Sequence, residues 1–323
     1  MSVQTIVSYS NDLYHILFNH TWNKSMKRPR KHHYVPQCLL KHFVNSNGQV
    51  YVLDKKTLQI FQSNIQDVFA ERDFYTIGKN NRMESFFSQE VETKCAPVID
   101  KIISTHSLLS LSESECNLLI DFCIIQNERT NMRKKAINTM LQSLLKIVIP
   151  IWERNGTIPP KPIPLDDVKI NCTPTATRLQ SELILENTPL FRHILKKTKK
   201  IMLFHSATSI FHIGDHPVAM NNEKPTPPFG AFGYAVPCCD LYFPLSPHLC
   251  IAMIDKHSAL YSEIPDMNIL PVSPNTTNAL NILQIRWANR HIISSENNFQ
   301  KDILYLEEEP YFKEHNSGEV AIQ

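Results

Sequence analysis

The stretch Lys31-His32-His33-Tyr34-Val35-Pro36-Gln37 runs directly into Cys38-Leu39-Leu40-Lys41-His42-Phe43. Two adjacent histidines are followed by an aromatic and a β-branched residue, and then by a proline that precedes an amphipathic segment. Proline is tolerated at the start of a helix but not in its interior. We therefore expect the histidines to lie where an extended segment meets a helix, and the rest of the chain to be organised around this point.

The composition indicates a globular protein. Its 323 residues are 42% hydrophobic, enough to bury a substantial core in one large domain or two ordinary ones. The net charge of +2 supplies no global field for nucleic acid or an anionic membrane, so any basic contact has to be local. No apolar run reaches the roughly 18 residues of a membrane-spanning helix. No membrane partner is therefore expected.

Cysteine and glycine usage exclude several classes of protein. The eight cysteines include no Cys-x-x-Cys pair, which indicates reduced thiols in a cytoplasmic protein rather than a disulfide framework or a zinc ribbon. Only seven glycines occur, and none forms a phosphate-binding loop. A P-loop or dinucleotide-binding fold is therefore not expected.

Sequence periodicity predicts an N-terminal hairpin and a helical middle. Two extended segments, 49–54 and 58–62, read as a β-hairpin. Apolar residues at three- and four-residue spacing predict a helix over 83–103. Ser112 and Glu115 have capping-box spacing at the start of the next helix, which we expect to continue, with a break, toward Trp152.

The final third changes to mainly extended segments. Residues 240–245 and 250–254 predict an antiparallel pair, 276–288 a helix, and 301–306 a last strand. The predicted fold class is therefore α+β, with an N-terminal β-hairpin element, a helical middle and a C-terminal mostly antiparallel sheet with a closing helix.

The expected organisation is one composite domain with two flanking segments. Because a second methionine, Met26, stands directly before a basic run, residues 1–25 are interpreted as an N-terminal extension. Residues 26–308 form the single composite α+β domain, and residues 309–323 a C-terminal tail.

Several sequence pieces together resemble one family. In order they are Lys31–Gln37, Leu40–Phe43, Phe74-Tyr75, Glu84, Glu92, Phe122–Thr130, Gly214–Val218 and Phe243–Pro247. The chain resembles, from about residue 28 to about residue 295, the bacterial family catalogued as domain of unknown function 4238. The resemblance implies a shared fold and site, and a setting near mobile elements and phage-defence genes. The family more often has Ser-Asp-Asn-Pro where this chain has Gly214-Asp215-His216-Pro217.

His32 and His33 are the first candidate site residues. Histidine titrates near neutral pH and binds divalent metals through a neutral ring nitrogen. The His-His-x-x-Pro pattern is similar to the entry of the ββα-metal nucleases, in which one histidine is a general base and its neighbour helps to hold a metal. The window to Tyr75 lacks the further ligands at the usual spacing. The alternative is that both histidines only fix the turn by hydrogen bonds.

Gln126 and Arg129 continue an apolar helical stripe that contains Leu119 and Phe122. A buried arginine needs a carboxylate or phosphate partner, because an unpaired buried charge is too costly. That partner is either a ligand or an internal carboxylate, such as Glu84. The two possibilities stay open.

Asp215 follows an apolar segment and precedes His216-Pro217, where a carboxylate would be held rigidly. It is predicted to bind a metal together with His32 or His33, to orient one of them, or to pair with Arg129. The alternative is an Asp turn that caps its own backbone.

Two functional hypotheses follow. The first is a metal-assisted nuclease or phosphodiesterase, for example a toxin-type effector of phage defence, with Mg²⁺, Mn²⁺ or Zn²⁺ as cofactor. Gln126 and Arg129 would hold the phosphate, and the basic run Lys27, Arg28, Arg30 and Lys31 would contact nucleic acid. The second is a non-enzymatic module that binds a nucleotide, nucleic acid or a partner protein of a defence system through the same polar pocket.

Overall fold

The computed structural model describes residues 30–76, 82–157, 171–222 and 232–318. The predicted extension 1–25, together with Lys27 and Arg28, lies outside these residues. The described part confirms the α+β class, with predominantly antiparallel sheets. None of its helices is long and apolar enough to cross a membrane. All eight cysteines are free thiols.

The histidine segment is a short strand that leads into a helix, as predicted. Strand β1 (Lys31–His33) pairs antiparallel with β4 (Ala70–Arg72). Pro36 adopts an extended conformation and immediately precedes the helical turn α1 (Gln37–Leu40). The predicted hairpin lies between β1 and β4 in the sequence. Its strands are β2 (Gln49–Asp54) and β3 (Gln59–Asn64).

The middle of the chain is helical. Its elements are α2 (Arg82–Phe86), a π-helical turn (Phe87–Glu92), α3 (Thr93–Thr105), α4 (Glu113–Glu128), α5 (Asn131–Arg154) and α6 (Thr173–Thr198). The predicted capping box begins α4, where Ser112 and Glu115 each accept the backbone N–H of the other. The expected break follows α4 at Arg129 and Thr130. We call these two residues the α4–α5 turn.

The C-terminal third contains the larger sheet. Its elements are β5 (Lys199–His205), β6 (Ile213–Gly214), β7 (Ala219–Asn222), β8 (Cys239–Ser246), β9 (Leu249–Asp255), β10 (Ile269–Pro271), α7 (Pro274–Trp287), β11 (His291–Ser294), α8 (Gln300–Glu308) and α9 (Tyr311–Glu314). One sheet has the order β10-β5-β9-β8-β7, with β10 parallel to β5, and its predicted β8–β9 pair is confirmed. A four-stranded sheet, β3-β2-β11-β6, joins the N-terminal hairpin to C-terminal strands.

The predicted last strand over 301–306 is wrong, because these residues lie in helix α8. Phe299, Ile303 and Leu306 recur at helical spacing and pack in one apolar cluster. The segment predicted as a tail contains α9 and is attached to the body. The backbone N–H of Ser317 donates to the carbonyl of Arg286 at 2.7 Å.

Lys55 connects the N-terminal hairpin to the C-terminal part. It is fully buried, and its ammonium donates to the carbonyls of Ile285, Ala288 and His315 at 3.3, 2.5 and 2.8 Å. Two of these carbonyls belong to the end of α7, where the helix dipole favours a cation. The two ends of the chain therefore share a buried polar contact as well as a sheet.

Candidate functional site

The α4–α5 turn is where the predicted site residues approach one another. Thr130 is the N-cap of α5, and its hydroxyl accepts the backbone N–H of Arg133 at 3.5 Å. Because the helix stops at Glu128 and restarts at Asn131, the turn presents Arg129 to the interior. Arg129 is fully buried.

The guanidinium of Arg129 donates four hydrogen bonds. Nη1 and Nη2 both donate to Glu92 Oε1 at 2.9 Å, Nε donates to the carbonyl of Tyr34 at 2.8 Å, and Nη2 donates to that of His33 at 3.1 Å. The internal ion pair left open by the sequence is thus formed, with Glu92 rather than Glu84. Arg129 contacts the histidine segment through its backbone. This contact fixes the end of β1 against α4.

His32 has a structural place in the same network. It is fully buried, and its Nδ1 accepts the backbone N–H of Tyr75 at 3.1 Å. The Tyr75 ring stacks on the imidazole, and its hydroxyl donates to the carbonyl of Arg129 at 2.8 Å. His32 therefore supports the position of Tyr75 beside the α4–α5 turn.

His33 is only half-buried and is the more accessible of the two histidines. Its Nε2 lies 3.5 Å from Nε2 of Gln37. Burial lowers the pKa of His33 below 6.5, although the backbone of Gln66 and the carboxylate of Glu92 act in the opposite direction. At neutral pH its ring is uncharged and can accept a proton.

The π-helical turn brings a second carboxyl to the charge of Arg129. A regular α-helix would place residues 84 and 92 about 80° apart, and the π turn changes that phase. Glu84 Oε2 is buried without a hydrogen-bond partner among the described residues. Burial raises the pKa of Glu84 to about 7, with Arg129 lowering it and Glu92 raising it. π turns inside helices occur frequently at functional sites.

Gln126 lies one turn before Arg129 on the same face of α4. It is fully buried, and neither its amide nitrogen nor its amide oxygen has a partner within the described segments. A buried amide without partners is costly in a protein interior. Gln126 is therefore the predicted site residue with the largest unused hydrogen-bonding capacity.

His216, which was not among the predicted site residues, is the part of the Gly214–Pro217 turn that reaches the α4–α5 turn. Its Nδ1 lies 2.7 Å from Thr130 Oγ1, and its ring stacks on Trp287. Its Nε2 is buried without a partner in the part of the chain described. Burial, and then the charge of Arg133, lower the pKa of His216 well below its usual value. The sequence signal was its position, where the resembled family more often has asparagine.

Asp215 is committed to the backbone of another segment. Its Oδ1 accepts the N–H of Asn289 at 2.6 Å, and its Oδ2 accepts those of Arg290 and His291 at 2.9 and 3.1 Å. It caps the entry to β11 rather than its own turn. No hydrogen bond or ion pair joins Asp215 to Arg129, whose carboxylate partner is Glu92.

The proposed ligand set for a metal was His32, His33 and Asp215. His32 Nδ1 accepts an N–H, and the Asp215 carboxylate accepts three. Among the described residues, no group of three or more His, Cys, Asp or Glu side chains is placed to hold a metal ion. These donors do not fit a resident metal at this position.

The comparisons with known proteins agree with the resemblance seen in the sequence. Residues 31–298 match the family described as "Protein of unknown function (DUF4238)". The chain belongs to the DUF4238 family. The match begins at Lys31, the first residue of β1, and extends over most of the chain. No curated protein and no solved structure matches it.

The basic run of this DUF4238 protein is described only in part. Arg30 lies 3.7 Å from Asp73, and Lys31 lies 2.5 Å from Asp67. Both cations are exposed, and exposed ion pairs of this kind are weak. They can therefore exchange their carboxylate partners for another anion, beside the half-buried His33.

A substitution separates a structural Asp215 from a ligating one. Asp215→Asn replaces one acceptor oxygen by an NH₂ group that faces backbone donors, so we expect the free energy of unfolding to fall by about 2 kcal/mol. Urea denaturation at pH 7 measures it, with the exposed Asp67→Asn as control. Mg²⁺, Mn²⁺ or Zn²⁺ should leave the difference between Asp215→Asn and wild type unchanged. If Asp215→Asn is as stable as the control Asp67→Asn, the capping role of Asp215 is contradicted.

Proposed function

We propose that this protein cleaves phosphodiester bonds of nucleic acid by acid–base catalysis, with His33 as general base and Glu84 as general acid. The observation that carries the proposal is the placement of both groups against one buried ion pair, Arg129–Glu92. Environments that displace the pKa values of neighbouring groups in opposite directions assign acid and base roles.

The two groups have suitable protonation states near neutral pH. Burial makes the ring of His33 a neutral base, while it keeps the carboxyl of Glu84 protonated up to a pKa of about 7. The unpartnered Oε2 of Glu84 has its hydrogen-bonding capacity available for a substrate oxygen. General acid–base catalysis of this kind contributes roughly 10²- to 10⁴-fold to a rate.

Hydrolysis by this pair conserves protons. His33 removes a proton from water while the water oxygen bonds to phosphorus. The bond from phosphorus to the leaving oxygen breaks, and that oxygen takes the proton of Glu84. Solvent then carries the proton from the His33 imidazolium to the Glu84 carboxylate. Arg129 and Glu92 act as positioning residues, because Arg129 holds the backbone of His33.

The substrate class is supported by the charges that precede the site. Lys31 is exposed on the strand that carries His33, and the exposed Arg30 immediately precedes that strand. Lysine and arginine side chains beside a reacting centre can follow a phosphate backbone, and the contact should weaken as salt increases.

The decisive experiment is a cleavage assay with the full chain on single- and double-stranded DNA and RNA. It is run in EDTA and with Mg²⁺, Mn²⁺ or Zn²⁺, because the sequence predicted metal assistance whereas the proposed acid–base pair needs no metal. We expect cleavage in EDTA and an at least 100-fold loss in His33→Gln. Glu90→Gln, which alters an exposed carboxyl on the π-helical turn, is the control.

Three results would contradict the proposal. They are no cleavage under any condition, cleavage only with added metal, and equal rates for His33→Gln and wild type. The role in phage defence stays a prediction. It is checked by comparing growth arrest after induced expression of wild type and of His33→Gln.

A second candidate function is a non-catalytic module that binds a nucleotide, nucleic acid or partner protein. The specific observation in its favour is Gln126, whose buried amide has both a donor and an acceptor unused. If wild type binds but never cleaves a radiolabelled oligonucleotide, and Gln126→Leu abolishes the binding, this candidate replaces the first.

A further inference from the structure

Three histidines that the site does not use lie together at another place in the fold. His106 is the C-cap of α3 and adopts a left-handed conformation, with φ 49° and ψ 39°. His205 is the last residue of β5, and His248 lies in the turn between β8 and β9. The ring centroids of His106 and His205 are 5.2 Å apart, with an angle of 44° between the planes.

This spacing matches two imidazoles that share one metal ion. A Zn–N bond of about 2.0–2.1 Å plus about 1.1 Å from nitrogen to ring centre places each ring centre about 3.2 Å from the metal. At a tetrahedral angle the two ring centres are then about 5 Å apart.

The two rings are also available as ligands. Neither His106 nor His205 uses a ring nitrogen in a hydrogen bond or ion pair with another described residue. A metal competes there with no internal partner.

His248 is a third imidazole beside this pair. Its Nδ1–H donates to the carbonyl of Ser206 at 3.0 Å. Hydrogen bonds from the distal ring N–H to a carbonyl are the usual support of metal-binding histidines. The same carbonyl belongs to the residue that follows His205.

We propose that His106 and His205 chelate one divalent late transition-metal ion, Zn²⁺, Cu²⁺ or Ni²⁺, with water in the remaining positions. Imidazole nitrogen suits these ions, whereas Mg²⁺ requires oxygen ligands. The chelate connects the end of α3 to the end of β5. An ion bound to the native state alone stabilises the fold by mass action.

The test is isothermal titration of tag-free, chelator-treated full chain with ZnCl₂ and CuCl₂. We expect one equivalent to bind, and His106→Asn and His205→Gln each to weaken binding at least tenfold. Asparagine is tolerated in the left-handed conformation, so His106→Asn removes the ligand and retains the C-cap. His193→Gln, an exposed histidine on α6, should bind as wild type does.

Two further readouts make the result specific. Zn²⁺ should raise the thermal midpoint of wild type but not of His106→Asn, and the Cu²⁺ EPR spectrum should show coupling to nitrogen that either substitution reduces. The proposal is overturned by absence of saturable binding, by equal affinity of His106→Asn and wild type, or by an equal loss in His193→Gln. Displacement of Zn²⁺ by equimolar Mg²⁺ would also overturn it. Phosphodiester cleavage is not a readout, so this result is independent of the proposed activity.

Discussion

Replacing Arg129 by methionine is expected to lower the free energy of unfolding by about 3–5 kcal/mol, the loss typical of breaking a buried ion pair at one partner. Methionine fills much of the arginine volume but donates no hydrogen bond. It leaves the Glu92 carboxylate and the carbonyls of His33 and Tyr34 without their donors. Urea denaturation followed by circular dichroism, at constant pH 7, measures the change.

Two further variants distinguish this cause from a general loss of packing. Arg129→Lys keeps the charge but cannot reproduce the planar fork, so its stability should lie between methionine and wild type. The double variant Arg129→Met with Glu92→Gln should recover part of the loss, because it removes the unpaired carboxylate.

The control for Arg129 is an exposed arginine. Arg178 pairs with Glu182 one turn away on α6, and its side chain is 64% exposed. Arg178→Met should change stability by no more than about 0.5 kcal/mol. If Arg129→Met falls in that range too, or the double variant is less stable than Arg129→Met, the ion pair does not organise the site.

The burial of Arg129 was predictable because it rests on local periodicity. The spacing of Phe122, Gln126 and Arg129 places them on one helical face whatever lies opposite. The carboxylate that pairs with Arg129 was not predictable. A π-helical turn lies between Glu84 and Glu92 and changes the angle between their side chains, and no sequence spacing revealed that turn. The choice of Glu92 as the partner therefore depends on the backbone geometry of the π-helical turn, which is not part of α4.

The Gly214–Pro217 turn illustrates a second limit of the sequence. Its rigidity was predicted, but the directions of its side chains depend on tertiary neighbours. Asp215 faces the entry to β11, whereas His216 faces Thr130. Adjacent side chains of this irregular segment point in different directions. His216, and not the predicted Asp215, therefore contacts the α4–α5 turn. The α8 helix shows the same dependence, since short apolar runs are compatible with strand or helix until packing selects one.

Replacing Glu84 by glutamine is expected to abolish most cleavage while making the protein more stable at alkaline pH. Glutamine retains the shape of the side chain and cannot transfer a proton, so the cleavage rate should fall at least 100-fold. The wild-type rate should rise as the pH increases through the pKa of His33, below 6.5, and fall again above about 7, where Glu84 ionises.

Although Glu84→Gln should lower the cleavage rate, it should raise the free energy of unfolding at alkaline pH. The pKa of Glu84 is about 7 in the folded protein, against 4.5 for the isolated side chain. The unfolded state therefore ionises first, and the wild type loses stability as the pH rises from 4.5 through 7. With allowance for the residual exposure of Glu84, the loss is on the order of 2 kcal/mol. Glu84→Gln should match wild type at pH 4 and exceed it by that amount at pH 8.

Urea denaturation at the two pH values, combined with the cleavage assay, separates a catalytic acid from a structural one. Glu90→Gln, on the π-helical turn that follows α2, should change neither quantity, because Glu90 is exposed and, among the described residues, pairs with Lys94. A carboxyl that lowers the free energy of unfolding and is nevertheless present serves a role other than stabilising the fold. If Glu84→Gln is instead less stable than wild type at pH 8, its carboxyl supports the fold, and a different residue must supply the proton to the leaving oxygen.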